Sequence, residues 1–159
     1  MSDVHNRQLI ETFYAAFGKR DAETMASCYR ADVRFSDPAF PDLQGEHAGN
    51  MWRMLCGKAA DLKVEASNIV ADATTGSAHW DAWYTFSATG RKVHNEIDAR
   101  FRFQDGQIIE HVDSFPLWKW TRMALGPVGV LLGWSPLVKG KVRSQAAAGL
   151  AEFERARQC

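Results

Sequence analysis

Apolar residues in the N-terminal part of the chain recur at the three- and four-residue spacing of amphipathic helices. The first predicted helix begins at Ser2 or Asp3, ends near Gly18 and buries a face formed by Leu9, Ile10, Phe13, Tyr14 and Phe17. Asp21 is a suitable N-cap for a short second helix, which buries Met25, Ala26 and Tyr29. With a third helix over about 46–60, the pattern predicts three helices in this part of the chain.

The middle of the chain alternates apolar and polar residues with the period of two that strands have. A short strand over 33–35 ends at Asp37-Pro38, because a residue before proline is kept out of the helical region. Four more strands are predicted over about 63–71, 77–88, 92–104 and 107–115, separated by Thr75-Gly76, Thr89-Gly90 and Asp105-Gly106. Helices followed by an antiparallel meander predict an α+β fold.

From Leu117 onwards the chain changes character. An apolar run over 123–134 is broken by three glycines and Pro127, and a helix is predicted from about Pro136 to Arg157. The run has twelve residues, fewer than the about 20 that cross a bilayer. We therefore expect a folded domain over residues 1–116 and an apolar, basic helical extension over residues 117–159 that packs on it as a cover.

Charge narrows the choice of partner. The 159 residues carry nineteen basic and nineteen acidic side chains, so there is no surplus of Lys and Arg and no nucleic-acid partner is expected. The extension carries a net charge of +5 and residues 1–116 carry −5, which favours docking of one on the other. The alternative is that the basic, Trp-containing extension binds a membrane surface or a protein partner.

Cysteine and histidine spacing argues against metal sites and disulfides. Cys28, Cys56 and Cys159 form neither a CxxC pair nor a zinc spacing, which favours a reducing cytoplasm. The N-terminus has no signal-peptide pattern. Since the histidines also lack metal spacing and there is no Gly-rich phosphate loop, neither a metal nor a cofactor is expected.

Three stretches carry a resemblance to a known superfamily: FYAAFGKRDAETMASCYRADVRFSDP, GRKVHNEIDARFRF and QDGQIIEHVDSF. Their order and spacing over about residues 5–116 resemble the nuclear transport factor 2-like superfamily, which includes ketosteroid isomerases, limonene epoxide hydrolases and SnoaL-like polyketide cyclases. The resemblance implies a cone-shaped, curved antiparallel sheet that encloses an apolar pocket with three helices. It also implies pairing of two copies through the outer sheet face, where Trp83, Arg100 and Arg102 are expected.

The resemblance and the strand alternation together select side chains that face this pocket. On the last strand the inward set consists of Ile109, His111, Asp113 and Phe115. The Cα atoms of His111 and Asp113 are expected to lie about 6.5–7 Å apart, so a water or substrate could bridge the two side chains. The expected pocket wall consists of Tyr14, Trp52, Trp80, Tyr84, Asn95, Phe101 and Phe115.

Three residues are candidates for proton transfer. Asp37 corresponds to the aspartate that serves as the base in ketosteroid isomerases, although an Asp before a proline also caps turns. Asp113 corresponds to the acid in the EHWD-type segment of SnoaL-like cyclases, and His111 beside it can give or take a proton. The alternative for this pair is a buried polar couple that the protein itself satisfies.

Two positions depart from the relatives. Ala99 stands where the sheet of ketosteroid isomerases has a protonated aspartate. In those enzymes this aspartate donates a hydrogen bond to the oxyanion, so the resemblance implies that this donor is absent here. Phe13 stands at the position of their tyrosine, so Tyr14 is expected to turn about 100° away. Arg100 is expected on the outer face, away from the place that the Asp-Arg-Asp group of epoxide hydrolases requires.

The sequence therefore predicts a dimeric pocket protein with acid–base capacity, an isomerase, cyclase or hydrolase of a small hydrophobic carbonyl compound. The alternatives are a non-catalytic module that binds a small hydrophobic ligand, and the membrane-surface or partner-binding protein described above. The missing oxyanion pair favours the binding module, because a base without charge stabilisation loses a large electrostatic contribution.

Overall fold

A computed structural model describes residues 3–127 and 135–157. Ser2, residues 128–134 of the predicted apolar run, and Cys159 lie outside the described residues. The five helices of the described part are α1 (Asp3–Gly18), α2 (Ala22–Ser27), α3 (Glu46–Lys58), α4 (Leu117–Leu125) and α5 (Pro136–Arg157). The six strands are β1 (Tyr29–Ser36), β2 (Leu43–Gln44), β3 (Lys63–Ala71), β4 (Thr75–Phe86), β5 (Arg91–Gln104) and β6 (Gln107–Ser114).

The predicted α+β fold is confirmed: one curved, unclosed sheet has the order β2-β1-β6-β5-β4-β3, with the helices packed on it. Strands β3 to β6 form the predicted antiparallel meander. The chain order did not reveal that β1 joins the sheet parallel to β6. This pairing places the end of β1, and Asp37 after it, beside the strand that carries His111 and Asp113.

Several element ends follow from local chemistry. Asp21 caps α2 as predicted, since its carboxylate accepts a hydrogen bond from the Thr24 amide. Asp105 and Gly106 both have positive φ, which is the turn that the Asp-Gly pair predicts. The predicted break at Thr75-Gly76 is wrong, because the Asp72 carboxylate accepts from the Thr74 and Thr75 amides and makes the turn earlier.

The second helix is shorter than predicted. It ends at Ser27, and Tyr29 begins β1 instead of lying on a helical face. Tyr29 is buried on the same side of β1 as Val33 and Phe35. The hydroxyl of Tyr29 therefore points into the cone, next to β6.

Strand β5 follows the predicted alternation, with Asn95, Ile97, Ala99 and Phe101 buried and Arg100 exposed on the outer face. On β6 the pattern shifts by one residue. Arg102 pairs with Glu110 whereas Phe103 pairs with Ile108, so Ile109 is an extra residue in a β-bulge. Ile108, and not the predicted Ile109, is thus buried, while His111 and Asp113 keep their inward direction.

The C-terminal helices pack on the cone. Helix α4 lies against β5, and its Trp120 indole donates to the Tyr84 hydroxyl at 2.7 Å. Helix α5 lies against α3, with Leu150 buried and Phe153 packed on the core. None of the described helices has the length and apolar character needed to cross a membrane.

Candidate functional site

A chain of buried hydrogen bonds runs through the centre of the cone. The Trp52 indole donates to the Tyr29 hydroxyl at 2.8 Å, and this hydroxyl lies 2.8 Å from His111 Nδ1. His111 Nε2 lies 2.8 Å from Asp113 Oδ1, which also accepts from the Trp80 indole at 3.3 Å. Helix α3 and strands β1, β4 and β6 therefore meet in one polar network inside an aromatic core.

The direction of each hydrogen bond follows from the chemistry of the donors. An indole N–H can only donate, so the Tyr29 oxygen accepts from Trp52 and its own hydrogen is left for His111 Nδ1. With this direction of the Tyr29 hydroxyl, Nδ1 accepts and Nε2–H is donated to Asp113. Both ring nitrogens of His111 are thus engaged inside the protein.

His111 is completely enclosed. Its exposed fraction is 0%, that of Asp113 is 3%, and the Phe101 ring centroid lies 4.4 Å from the imidazole centroid. The two side chains contact each other directly, so the expected gap for a bridging water or substrate is not present. Since both ring nitrogens are engaged, the observed arrangement matches the alternative of a buried pair that the protein satisfies.

Tyr14 lies on the buried face of α1, as the helical pattern predicts, and it packs on Trp80 and Phe101. Its hydroxyl is enclosed and has no hydrogen-bond partner among residues 3–127 and 135–157. Burial, and then the charge of nearby Asp113, raise the pKa of Tyr14 well above its usual range, so the group stays protonated. Tyr14 is an unused donor next to Asp113.

Asp37 follows β1 and is half-buried. Its Oδ1 accepts from the Ala39 amide at 2.8 Å and from the Phe40 amide at 2.6 Å, so the turn-capping alternative holds for this oxygen. Oδ2 makes no hydrogen bond within the described part of the chain. Burial raises the pKa of Asp37 from 3.8 to about 7, with a further rise from Asp113 and opposing effects from the two amides and Arg143. A carboxyl with that pKa can exchange a proton near neutrality.

The predicted wall residues line the interior but leave it closed. Trp52, Trp80, Asn95 and Phe101 are buried, whereas Tyr84 and Phe115 are half-buried near the end that α4 covers. Burial raises the pKa of Tyr84, and the Trp120 hydrogen bond opposes that rise. Two depressions in the described residues lie on the outside of the sheet, and neither is lined by His111 or Asp113.

Reasoning from the sequence missed two residues near this site. Tyr29 was placed on a helix, although the odd positions 29, 33 and 35 were a period-two pattern that could have placed it on β1. Arg143, on α5, donates from Nε to the Pro38 carbonyl at 2.9 Å, next to Asp37. Nothing in the sequence linked these two segments, which are about 105 residues apart.

One group of side chains has atoms arranged closely enough for a metal ion. His79, Asp81 and Glu96 offer ligand atoms within 4.8 Å of one another on the outer face of β4 and β5. Spacing along the chain did not bring them together, because Glu96 joins through its pairing with Asp81 across two strands. His94 and Asp98 bond to members of this group. The expectation that the protein uses no metal stays a prediction.

Comparison with known proteins agrees with the geometry. A family model described as a SnoaL-like domain matches residues 10–111. The chain matches none of the curated proteins with which it was compared.

Solved structures show the same fold. TsrD from Streptomyces laurentii is 22% identical, with a TM-score of 0.68 over 79% of this chain and 98% of that one. An LEH-like epoxide hydrolase of M. tuberculosis is 18% identical, with a TM-score of 0.66 over 84% and 98%. A proposed polyketide cyclase of Xanthomonas campestris pv. campestris is 20% identical, with a TM-score of 0.64 over 76% and 97%.

At sequence identities this low, similarity to solved structures establishes only the fold. Membership of a family rests on the match to the family model. The matched residues include Tyr14, Tyr29, Asp37 and His111, and they stop before α4 and α5. The chain belongs to the SnoaL-like domain family of the nuclear transport factor 2-like superfamily.

Proposed function

We propose that this protein is a cofactor-independent acid–base enzyme that acts on a small hydrophobic carbonyl compound, with Asp37 as the base. The observation that carries the proposal is the half-buried Asp37 carboxyl, whose pKa is raised to about 7 and whose Oδ2 is not used by the turn. A base of this strength at the edge of an aromatic interior suits removal of a proton next to a carbonyl group.

The proposed reaction moves one proton. Asp37 Oδ2 takes the proton from the carbon beside the carbonyl, and the electrons of the C–H bond move into the carbonyl group as an enolate. Asp37 then returns the proton to another carbon, which isomerises the compound. Alternatively the enolate carbon attacks a second carbonyl and closes a ring, and Asp37 returns the proton to the alkoxide oxygen that forms. The solved relatives described as a proposed polyketide cyclase and an epoxide hydrolase support a small-molecule site on this fold.

Tyr14 and the buried network have separate roles in this proposal. The unpartnered Tyr14 hydroxyl donates to the enolate oxygen. Asp113 affects the pKa of both Tyr14 and Asp37, which supports one shared neighbourhood for the three groups. His111 does not touch the substrate, and with Tyr29 it positions the Asp113 carboxylate.

The extension over residues 117–159 is proposed to cover the site. The hydrogen bonds from Trp120 to Tyr84 and from Thr89 to the Ala124 carbonyl close the end of the cone near the half-buried wall residues. Substrate entry then requires α4 to move away from β4 and β5. Motions of such covers take place on the microsecond to millisecond timescale.

Hydrogen exchange into a model diketone tests the base. We would follow loss of the acidic C–H signal of 2-acetylcyclohexanone in D2O by NMR, with wild type, Asp37→Asn and Asp42→Asn. Asp42 is an exposed carboxylate of the same loop, paired with Arg34. The expected result is catalysed exchange that Asp37→Asn lowers by about 10²–10⁴-fold and Asp42→Asn leaves unchanged. Equal exchange with both variants would contradict the proposal.

A non-catalytic ligand-binding module is the second candidate. It is favoured by the engagement of both His111 nitrogens, because this histidine then has no free nitrogen for proton transfer. Ligand retained through purification and detected by native mass spectrometry, with no turnover of that compound, would decide for the module.

Further parts of the proposal concern assembly and location. We propose a homodimer through the outer sheet face, where Trp83 stacks on His94 at 4.5 Å and Arg100 is exposed. Sedimentation that shows only monomer at micromolar concentration would contradict it.

The buried free thiols of Cys28 and Cys56 support a cytoplasmic location. Exposed Trp118 and Leu137 favour the membrane-surface alternative, which vesicle co-sedimentation tests.

A further inference from the structure

Helix α5 presents one stripe of side chains to the rest of the protein. Arg143, Ala146, Leu150 and Phe153 recur at the spacing of one helical face. Leu150 is buried, and Ala146 and Phe153 pack on the core. Arg143 is therefore directed towards the body of the protein by the same contacts that dock the helix.

Arg143 differs from the other basic residues of its helix. It is half-buried, whereas Lys139, Lys141, Arg155 and Arg157 are exposed. Its Nε–H is donated to the carbonyl of Pro38, the residue after Asp37. This bond anchors the guanidinium at the edge of the cone.

The rest of the guanidinium is unused. Within residues 3–127 and 135–157, no carboxylate forms an ion-pair contact with Arg143, and its two terminal nitrogens make no hydrogen bond. Its charge acts on Asp37 without such a contact. A half-buried cation without a direct ion-pair partner is unusual, since buried charges are generally paired. Asp37 directly precedes Pro38, to which Arg143 is anchored. Its Oδ1 already accepts hydrogen bonds from the two amides of the turn.

We propose that Arg143 binds an anionic pair of oxygens on the substrate, a carboxylate or the enolate of a 1,3-dicarbonyl, at the edge of the cone beside Asp37. The inference rests on the proposed function, because it assigns the substrate class of that site. The substrate is then a hydrophobic compound that carries an acidic oxygen group.

The chemistry of arginine supports this assignment. A planar guanidinium matches two oxygens that share one negative charge, and it does so better than a lysine ammonium. With Nε held by Pro38, the terminal nitrogens remain as a fixed pair of donors. Arg143 lies outside the matched residues 10–111, and it brings these donors to the edge of the cone beside Asp37.

Binding of a matched pair of probes tests the inference. We would titrate the protein with 2-naphthoate and 2-naphthamide at about pH 6, where the carboxylate is ionised, and follow tryptophan fluorescence. These probes have the same apolar body and differ in the anionic group. The expected result is about tenfold tighter binding of naphthoate by wild type, with that preference lost in Arg143→Gln.

Two further variants complete the test. Lys141→Gln removes an exposed charge two residues away and should keep the preference, which separates a specific contact from the general charge of the helix. Arg143→Lys keeps the charge and most of the side-chain packing, and it should keep only part of the preference. Thermal unfolding of each variant checks that α5 remains docked.

The inference is overturned if wild type shows no preference for naphthoate, or if Arg143→Gln retains it. It is also overturned if Lys141→Gln loses the preference equally. These outcomes are separate from failure of the proposed function, because exchange into the diketone by wild type and Asp37→Asn does not depend on the naphthoate result.

Discussion

At the scale of single residues, the site contains two hydroxyl groups in opposite situations. The Tyr29 hydroxyl links Trp52 to His111 and has a hydrogen bond on each side. The Tyr14 hydroxyl is also buried but has no partner in the described residues. The first hydroxyl is part of the buried network, and the second is the one that we propose donates to a ligand.

Paired Tyr→Phe substitutions separate these roles. Tyr29→Phe leaves the Trp52 N–H and His111 Nδ1 without a partner, and we expect the free energy of unfolding to fall by about 1–3 kcal/mol. Tyr14→Phe removes an unsatisfied group, so we expect stability to stay equal or rise while diketone exchange falls. Urea unfolding of both variants is the measurement. Equal losses of stability would contradict the assignment.

Asp37 also affects stability in a pH-dependent way. Its pKa in the folded protein, about 7, lies above the value of 3.8 for the free group. The unfolded chain therefore loses this proton first, so the contribution to stability is complete below pH 3.8 and is lost as the pH rises through about 7.

Asp37→Asn should remove that dependence. Relative to wild type, we expect the stability of the variant to rise with pH by up to about 1.4 kcal/mol per pH unit in this window. Asp42→Asn is the control. Hydrogen bonds from Gln44 and Arg34 lower the pKa of the Asp42 carboxyl, so its removal should change the pH dependence of stability in the opposite direction. Urea unfolding at several pH values measures both. A pH-independent difference for Asp37→Asn would show that the carboxyl is not perturbed.

At the scale of elements, α5 depends on a few contacts with α3. Leu150 is 4% exposed, and the Glu154 carboxylate accepts from Asn50 at 2.8 Å and contacts His47. Burial of the leucine contributes more than these partly exposed polar contacts.

Leu150→Ala should therefore loosen the helix. We expect a loss of about 2–5 kcal/mol, the usual cost of removing a buried leucine side chain. Leu137→Ala, at a position that is 81% exposed on the same helix, should have little effect. Hydrogen exchange of the α5 amides would report the loosening directly. An unchanged α5 in Leu150→Ala would mean that other contacts hold it.

Element positions followed from local patterns to a large extent. Helix α5, the alternation of β5 and the Asp105-Gly106 hairpin were all predicted, because each depends on residues adjacent in the chain. The parallel pairing of β1 with β6 and the bulge at Ile109 were not, because both depend on contacts between distant strands. The inward direction of His111 and Asp113 was predicted from alternation together with the family resemblance. Their direct contact, the link to Tyr29 and the position of Arg143 required the tertiary fold.

At the scale of the whole molecule, the neutral chain has its acidic excess in residues 1–116 and its basic excess after them, and α4 and α5 of this basic part pack on the cone. The central polar network is closed off, and Asp37 and Arg143 remain half-buried at the edge. The molecule thus combines an enclosed polar network with an edge where Asp37 Oδ2 and the terminal nitrogens of Arg143 make no hydrogen bond in the described residues. This separation supports chemistry at the edge of the cone rather than at its centre.

Titration of the Asp37 carboxyl group decides whether this residue is a base poised near neutrality. We would label the protein with 13C-aspartate, assign the Asp37 carboxyl signal with Asp37→Asn, and titrate it by NMR. We expect a midpoint at about 7, shifted down in Asp113→Asn and up in Arg143→Gln. A midpoint near 3.8 in wild type would show that Asp37 is not such a base.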